Sequence, residues 1–189
     1  MIEIRREEIF ELIAGWIGIS IIFSVLYWNT NIGLVNVFIL SLITAGLAFI
    51  VHELSHKFVA IYYKCTAIFK VDYKMLLAGL FMSFLGFLFI VPGSVVVRGF
   101  VTRAQNAIIA LAGPVSNIIL GLLFIPFMFL SGLFGVIGYF GFLINSVLGL
   151  FNMIPYGPFD GAKVIVYSKV MYIVVTLILL LMFIVGLLI

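Results

Sequence analysis

Charge is what this chain has least of. Asp, Glu, Lys and Arg make up 9% of its 189 residues, against 66% hydrophobic ones. A water-soluble domain carries about 25% charged residues, so there is too little polar surface here to cover a globule in water, and a soluble fold is excluded. Ten Lys and Arg against seven Asp and Glu leave a formal charge of +3. Cations this few and this scattered cannot build the basic face a nucleic acid needs, so no nucleic-acid partner is expected. The single cysteine, Cys65, excludes an intrachain disulfide. The N-terminus also lacks the acid-poor leader, short apolar core and small-residue cleavage site of a signal peptide: Glu3, Glu7, Glu8 and Glu11 accompany Arg5 and Arg6 there. This mixed cluster reads as a solvated helix end.

Long apolar runs fill the rest. At about 20 residues per span the length admits six or seven crossings with short connections, and leaves no room for a sizeable soluble domain. Residues 9–28 read as a first span and 34–63 as a second. Some 30 residues at about 1.5 Å each exceed a hydrocarbon core of about 30 Å, so the second helix must tilt, break or project. In residues 67–74, Phe69, Val71 and Tyr73 alternate with Lys70, Asp72 and Lys74, a period that predicts a half-buried strand. Residues 94–101, with three successive valines, predict another. Residues 106–130, 133–151 and 170–189 are further spans, and 152–162, NMIPYGPFDGA, form a Pro/Gly-rich loop.

The apolar stretch 75–91 either crosses the bilayer or enters and leaves on one face. If it crosses, Arg98, Arg103, Lys163 and Lys169 lie opposite Lys64, Lys70 and Lys74. If it does not, every Lys and Arg lies on one side, and the loops around Asn31 and Gly132 carry no charge. The positive-inside rule favours the second arrangement. The expectation is therefore an all-α polytopic membrane protein with five to six transmembrane helices, a re-entrant hairpin and short membrane-associated β-strands. It forms a single domain, with a core over residues 35–163 and peripheral helices at 9–28 and 170–189. The N-terminus and the Lys/Arg-rich loops face the cytoplasm, the protein is multi-pass in the cell membrane, and the lipid bilayer is its first partner. Non-helical backbone at membrane depth is tolerable only around protein or a water-filled cavity, so the hairpin and strands should surround a wet site.

His52 and His56, the only two histidines, lie four apart in HELSH, inside the second span. At that spacing two imidazoles project from one helical face, as two ligands of a tetrahedral metal require. Glu53 lies about 100° round the helix, within reach of a water held there. In a soluble helix these residues could simply be solvated. At membrane depth a charged side chain costs about 2.5 kcal/mol or more, so the bland reading, a snorkelling helix end, is expensive. A catalytic zinc takes three protein ligands and keeps a fourth position for water. Among acids outside the N-terminal cluster and Glu53, only Asp72 and Asp160 remain. Asp72 reads as solvated on a charged strand, whereas Asp160 sits in a loop whose Pro155, Gly157, Pro158 and Gly161 can bend back towards the membrane. Five spans also bring HELSH and Asp160 to the same face. Gly132, Gly135, Gly138 and Gly141 recur every three residues and read as a close-packing stripe. Asn117, inside a span, is either an interhelical hydrogen bond or part of a cleft.

These motifs resemble those of the site-2 proteases, intramembrane zinc metalloproteases with HExxH in one transmembrane helix and an NxxPxxPxDG-type motif later in the chain. His52, Glu53 and His56 match the first; Asn152, Pro155, Pro158, Asp160 and Gly161 match the second; Gly113, Pro114 and Asn117 match an intervening Gly-Pro element. The resemblance covers about residues 35–163 and departs from some members in the long apolar insertion before Val97. It implies one Zn2+ per chain held by His52, His56 and Asp160, with Glu53 as general base and Asn152 helping to polarise the scissile carbonyl. It also implies peptide-bond cleavage in single-span or other transmembrane substrates, as in regulated intramembrane proteolysis. A metal-ion transporter or channel using the same cluster is the alternative, and Glu53 discriminates, because transport needs no spare carboxylate beside the ligands. A zinc-bound but inactive partner protein is a third reading, and the intact motifs count against it. Oligomeric state is not legible.

Overall fold

The computed structural model describes residues 6–29, 33–87 and 93–189. Among the described residues, five helices are long and apolar enough to cross a membrane. The first is α1 (Arg6–Leu26). The second is a 29-residue rod, Leu34–Tyr62, built from α2 (Leu34–Ser41), a π-helical turn (Leu42–Gly46) and α3 (Leu47–Tyr62). The widened turn is where this overlong helix departs from regularity. A π turn breaks the i→i−4 ladder, and the Trp16 indole N–H donates to the Leu42 carbonyl at 2.9 Å. At its far end α3 stops in a Schellman motif. Lys64 takes a left-handed φ of 61°, and the N–H of Cys65 reaches back to the Ala60 carbonyl at 3.0 Å. Cys65 is buried against Ala60, Ala67 and Ile109.

Two antiparallel strands follow, β1 (Thr66–Val71) and β2 (Gly93–Arg98), in a register that runs from Thr66 opposite Arg98 to Val71 opposite Gly93. The first strand is shorter than its alternation predicts. Asp72 is a helix N-cap instead of a strand residue, accepting from the N–H groups of Lys74 and Met75 at 3.0 and 3.1 Å. It starts α4 (Tyr73–Phe84), whose 12 residues measure about 18 Å, short of a bilayer core of about 30 Å. Residues 88–92, between α4 and β2, lie outside the described residues.

A capping box of Thr102 and Gln105 opens α5 (Arg103–Met128), and Gly132, at φ 69°, starts α6 (Leu133–Asn152). Of the glycine stripe, Gly135, Gly138 and Gly141 pack closely, whereas Gly132 has open space beside it and only forms the turn. A Cβ on Gly138 would strike the backbone of Met128, and one on Gly141 the ring of Phe124, so α5 and α6 approach closely only because these side chains are missing. A short α7 (Asp160–Tyr167) and a last long helix, α8 (Lys169–Leu188), complete the chain. The core gathers Ile19 and Phe23 of α1, Ala48 and Phe49 of α3, Phe69 of β1, and Ile144 and Leu148 of α6.

In the N-terminal cluster Arg6 and Glu7 are exposed, as a solvated end predicts, but Glu8 and Glu11 are not. Glu8 is only 2% exposed. Its carboxylate accepts from Lys57 at 2.6 Å and from the Phe69 N–H at 3.0 Å, and Glu11 accepts from the Val71 N–H at 2.8 Å. Two α1 carboxylates thus occupy the outer edge of β1. Since Phe69 and Val71 turn their amides away from β2, their partners Val95 and Gly93 turn theirs away from β1, as antiparallel alternation requires. The outer edge of the ribbon on the cavity side is therefore on β2, where the Val95 amide approaches the Glu53 carboxylate.

Candidate metal centre

Spacing alone puts His52 and His56 on one face of α3, and the fold closes a third side chain onto them. Their Nε2 atoms lie 3.0 Å apart. Asp160 Oδ2 stands 3.4 Å from the first and 3.1 Å from the second. Asp160 is in the first turn of α7, not inside a loop. Gly161 makes that seat available, since a Cβ there would run into the Met153 carbonyl. His52, His56 and Asp160 are each no more than 7% exposed, and among the described residues they are the group whose ligand atoms all lie within 4.8 Å of one another.

The arrangement fits a metal ion on its own terms. The Nδ1 of His52 faces Asn117 Oδ1 at 2.6 Å, and the Nδ1 of His56 faces the Ile109 carbonyl at 2.7 Å. Both partners accept, so each ring carries its proton on Nδ1 and turns a bare Nε2 lone pair towards the other. Two lone pairs and a carboxylate oxygen converging in a buried space repel one another unless a cation lies among them. Two imidazoles and one carboxylate are also a donor set that catalytic zinc takes. The other oxygen of Asp160, Oδ1, meets Lys163 at 3.3 Å.

Gly113 and Pro114 acquire physical roles here. A Cβ on Gly113 would lie 2.5 Å from the Nε2 atoms of both His52 and His56, so only glycine leaves the cluster its space. Pro114, inside α5, has no N–H for the Ala110 carbonyl, which loosens the helical ladder beside Ile109, where His56 docks.

Glu53 is 6% exposed, and its Oε2 has no hydrogen-bond partner. An orphaned carboxylate oxygen is costly, and such atoms are kept where chemistry uses them. Glu53, the three cluster residues, Gly93, Val95 and Val97 of β2, Asn152 and Lys163 all line one cavity of about 400 Å³. Asp72 lies at its rim but is exposed and committed to capping α4. Asn152 is half-buried, and its Nδ2 donates to the Leu148 carbonyl of its own helix at 3.0 Å. Asn117 is not in the cavity lining, and its place in the chain is an interhelical hydrogen bond. Sequence reasoning missed Lys163, although a cation one turn after Asp160 was visible, and it missed Asn145, a buried residue with no motif around it.

No family profile matches the chain, and no solved structure does. A search of curated proteins finds a relative from Methanocaldococcus jannaschii named "Putative zinc metalloprotease MJ0611", 39% identical over 177 residues. The alignment takes in 91% of this chain and 90% of that protein. At that identity and coverage, the chain belongs to the family of this archaeal protein.

Proposed function

We propose that this protein is an intramembrane zinc metalloprotease that cleaves peptide bonds within or near the transmembrane segments of other membrane proteins. The observation that carries the reading is the convergence of His52, His56 and Asp160 beside the unpartnered Glu53 oxygen, the two histidines and Glu53 being on a helix long and apolar enough to span a bilayer. The relative's name points the same way. His52, His56 and Asp160 would hold one zinc ion, which when bound lowers the pKa of a water towards about 7 and polarises a carbonyl.

The chain's own groups supply the remaining chemistry. Glu53 removes a proton from the attacking water and returns it to the leaving amine, a shuttle that needs a free carboxylate oxygen close by but not in the ligand set. Asn152 lines the same cavity, and the Nδ2 N–H that Leu148 does not take can donate to the scissile carbonyl. A helical peptide bond is sterically hidden, so a substrate span must unwind locally. The outer edge of β2, with Val97 on the cavity wall and the Val95 amide beside Glu53, offers main-chain groups on which an unwound segment can add as a further strand.

The pairing of Val71 with Gly93 supports a re-entrant arrangement of the segment between them, because its two ends meet at one level of the fold. With α4 too short to cross, all cationic loops fall on one face, and we assign that face, with the N-terminus, to the cytoplasm. Ion transport through the same cluster would leave Glu53 without a task. Incubating the purified protein with a panel of single-span substrates, with and without a zinc chelator, tests the reading. Cleavage within the span, lost with chelator and restored by zinc, is expected. Zinc-loaded protein that cuts none of the panel but passes the ion across vesicles would support transport instead.

A further inference from the structure

The hydrogen bonds behind His52 run in one direction, set by a group that cannot reverse. The Gly141 carbonyl in α6 only accepts, so Asn145 turns its Nδ2 to it, at 2.7 Å. Asn145 Oδ1 is thereby left facing Asn117, whose Nδ2 donates to it at 3.0 Å. The same Nδ2 also approaches the Ala48 carbonyl, a second pure acceptor, at the longer distance of 3.4 Å. Asn117 Oδ1 is then the atom that remains for His52 Nδ1, at 2.6 Å. Asn117 and Asn145 are 0% exposed and His52 2%, so bulk water does not compete for any of these bonds.

We propose that Asn145 is a positioning residue of the metal centre: acting through Asn117, it fixes His52 in the Nδ1–H tautomer that presents Nε2 to the metal. This deepens the zinc-site reading above and rests on it. A carboxamide is nearly symmetric in shape, so what decides which end faces His52 is the set of hydrogen bonds behind it. A reversed Asn117 would offer an N–H to His52 Nδ1, drive the ring proton to Nε2, and remove the lone pair a metal needs. Asn145 is outside the cavity lining and touches neither the cluster nor the space for substrate.

The chain has only two histidines, so labelling histidine rings with 15N gives a spectrum of two imidazoles in the metal-free, detergent-solubilised protein. His56 is the internal reference, because the Ile109 carbonyl holds its tautomer independently of Asn145. In wild type Nδ1 of both rings should be protonated, any proton held between the two Nε2 atoms and Asp160 being additional to it. In Asn145→Leu, His52 should move wholly or partly to the Nε2–H form while His56 stays unchanged. The zinc dissociation constant, measured by chelator competition, should rise about 10–100-fold. Should Asn145→Leu fail to fold, the pair Asn117→Asp and Asn117→Leu asks the same question. Aspartate still accepts from Nδ1–H and keeps the tautomer, whereas leucine loses it. Folded Asn145→Leu with His52 in the wild-type tautomer and wild-type zinc affinity, or identical tautomers in the two Asn117 variants, overturns the proposal. The tautomer is read without metal or substrate, so this failure leaves the protease reading standing. Loss of the protease reading in turn leaves the spectra interpretable.

Discussion

The Lys57 ammonium meets the Glu8 carboxylate at 2.6 Å, with both side chains 1% exposed. Lys57 directly follows a cluster histidine, so this buried pair ties the ligand-bearing helix to the start of α1 and, through the Phe69 N–H, to β1. Removing one member of a buried pair strands the other charge, which costs about 3–5 kcal/mol. Glu8→Gln should therefore destabilise the protein by about that amount, and adding Lys57→Met should recover most of the loss. Thermal unfolding of the two single variants and the double variant in detergent checks this. Additive losses would mean that the pair is not coupled.

Asp160 and Asp72 both border the cavity, but only one is in the cluster. Asp160→Ala should lose zinc and activity together. Asp72→Ala should keep zinc and cost about 0.5–2 kcal/mol through its lost helix cap. Metal analysis and unfolding of the two variants separate these roles.

Much of this architecture is legible in composition and period. The apolar runs locate five long helices within a few residues, because a span must be continuous to satisfy its backbone in lipid. HELSH is legible because imidazoles at i and i+4 share a helical face whatever surrounds them. The long-range closures are not written locally. Nothing in Glu8 itself says that Lys57 and a strand edge will cover it. Asp72 alternates like a strand residue, and only the helix after it makes it a cap. Asn145 sits among apolar neighbours in an ordinary-looking span, and its purpose emerges only where α6 meets Asn117.

The β2 edge carries a prediction of its own. In the register of the ribbon, Val97 points its N–H away from β1, whereas Val96 faces Ile68 in the ladder. Proline at Val97 removes a donor from the open edge, while alanine leaves it in place. Val97→Pro should slow cleavage much more than Val97→Ala does, with zinc content unchanged. Equal rates would exclude this edge as the substrate's docking strand. A companion expectation is that helix-breaking residues in the substrate span speed cleavage by lowering the cost of unwinding.

Topology is open to single-cysteine labelling in a Cys65→Ser background. Cysteines at Val71, Arg98 and Lys163 should react from the cytoplasmic face, and one at Asn29 from the opposite face. Labelling of Arg98→Cys together with Asn29→Cys would mean that the segment between β1 and β2 crosses the bilayer.

Whether Glu53 is a base and not a ligand is read most directly from zinc content measured alongside cleavage in Glu53→Gln. Glutamine keeps the shape of the side chain but cannot take a proton, so the variant should retain about one zinc per chain and cut no single-span substrate. A variant that is empty of zinc, or that still cleaves at the wild-type rate, would contradict the assignment.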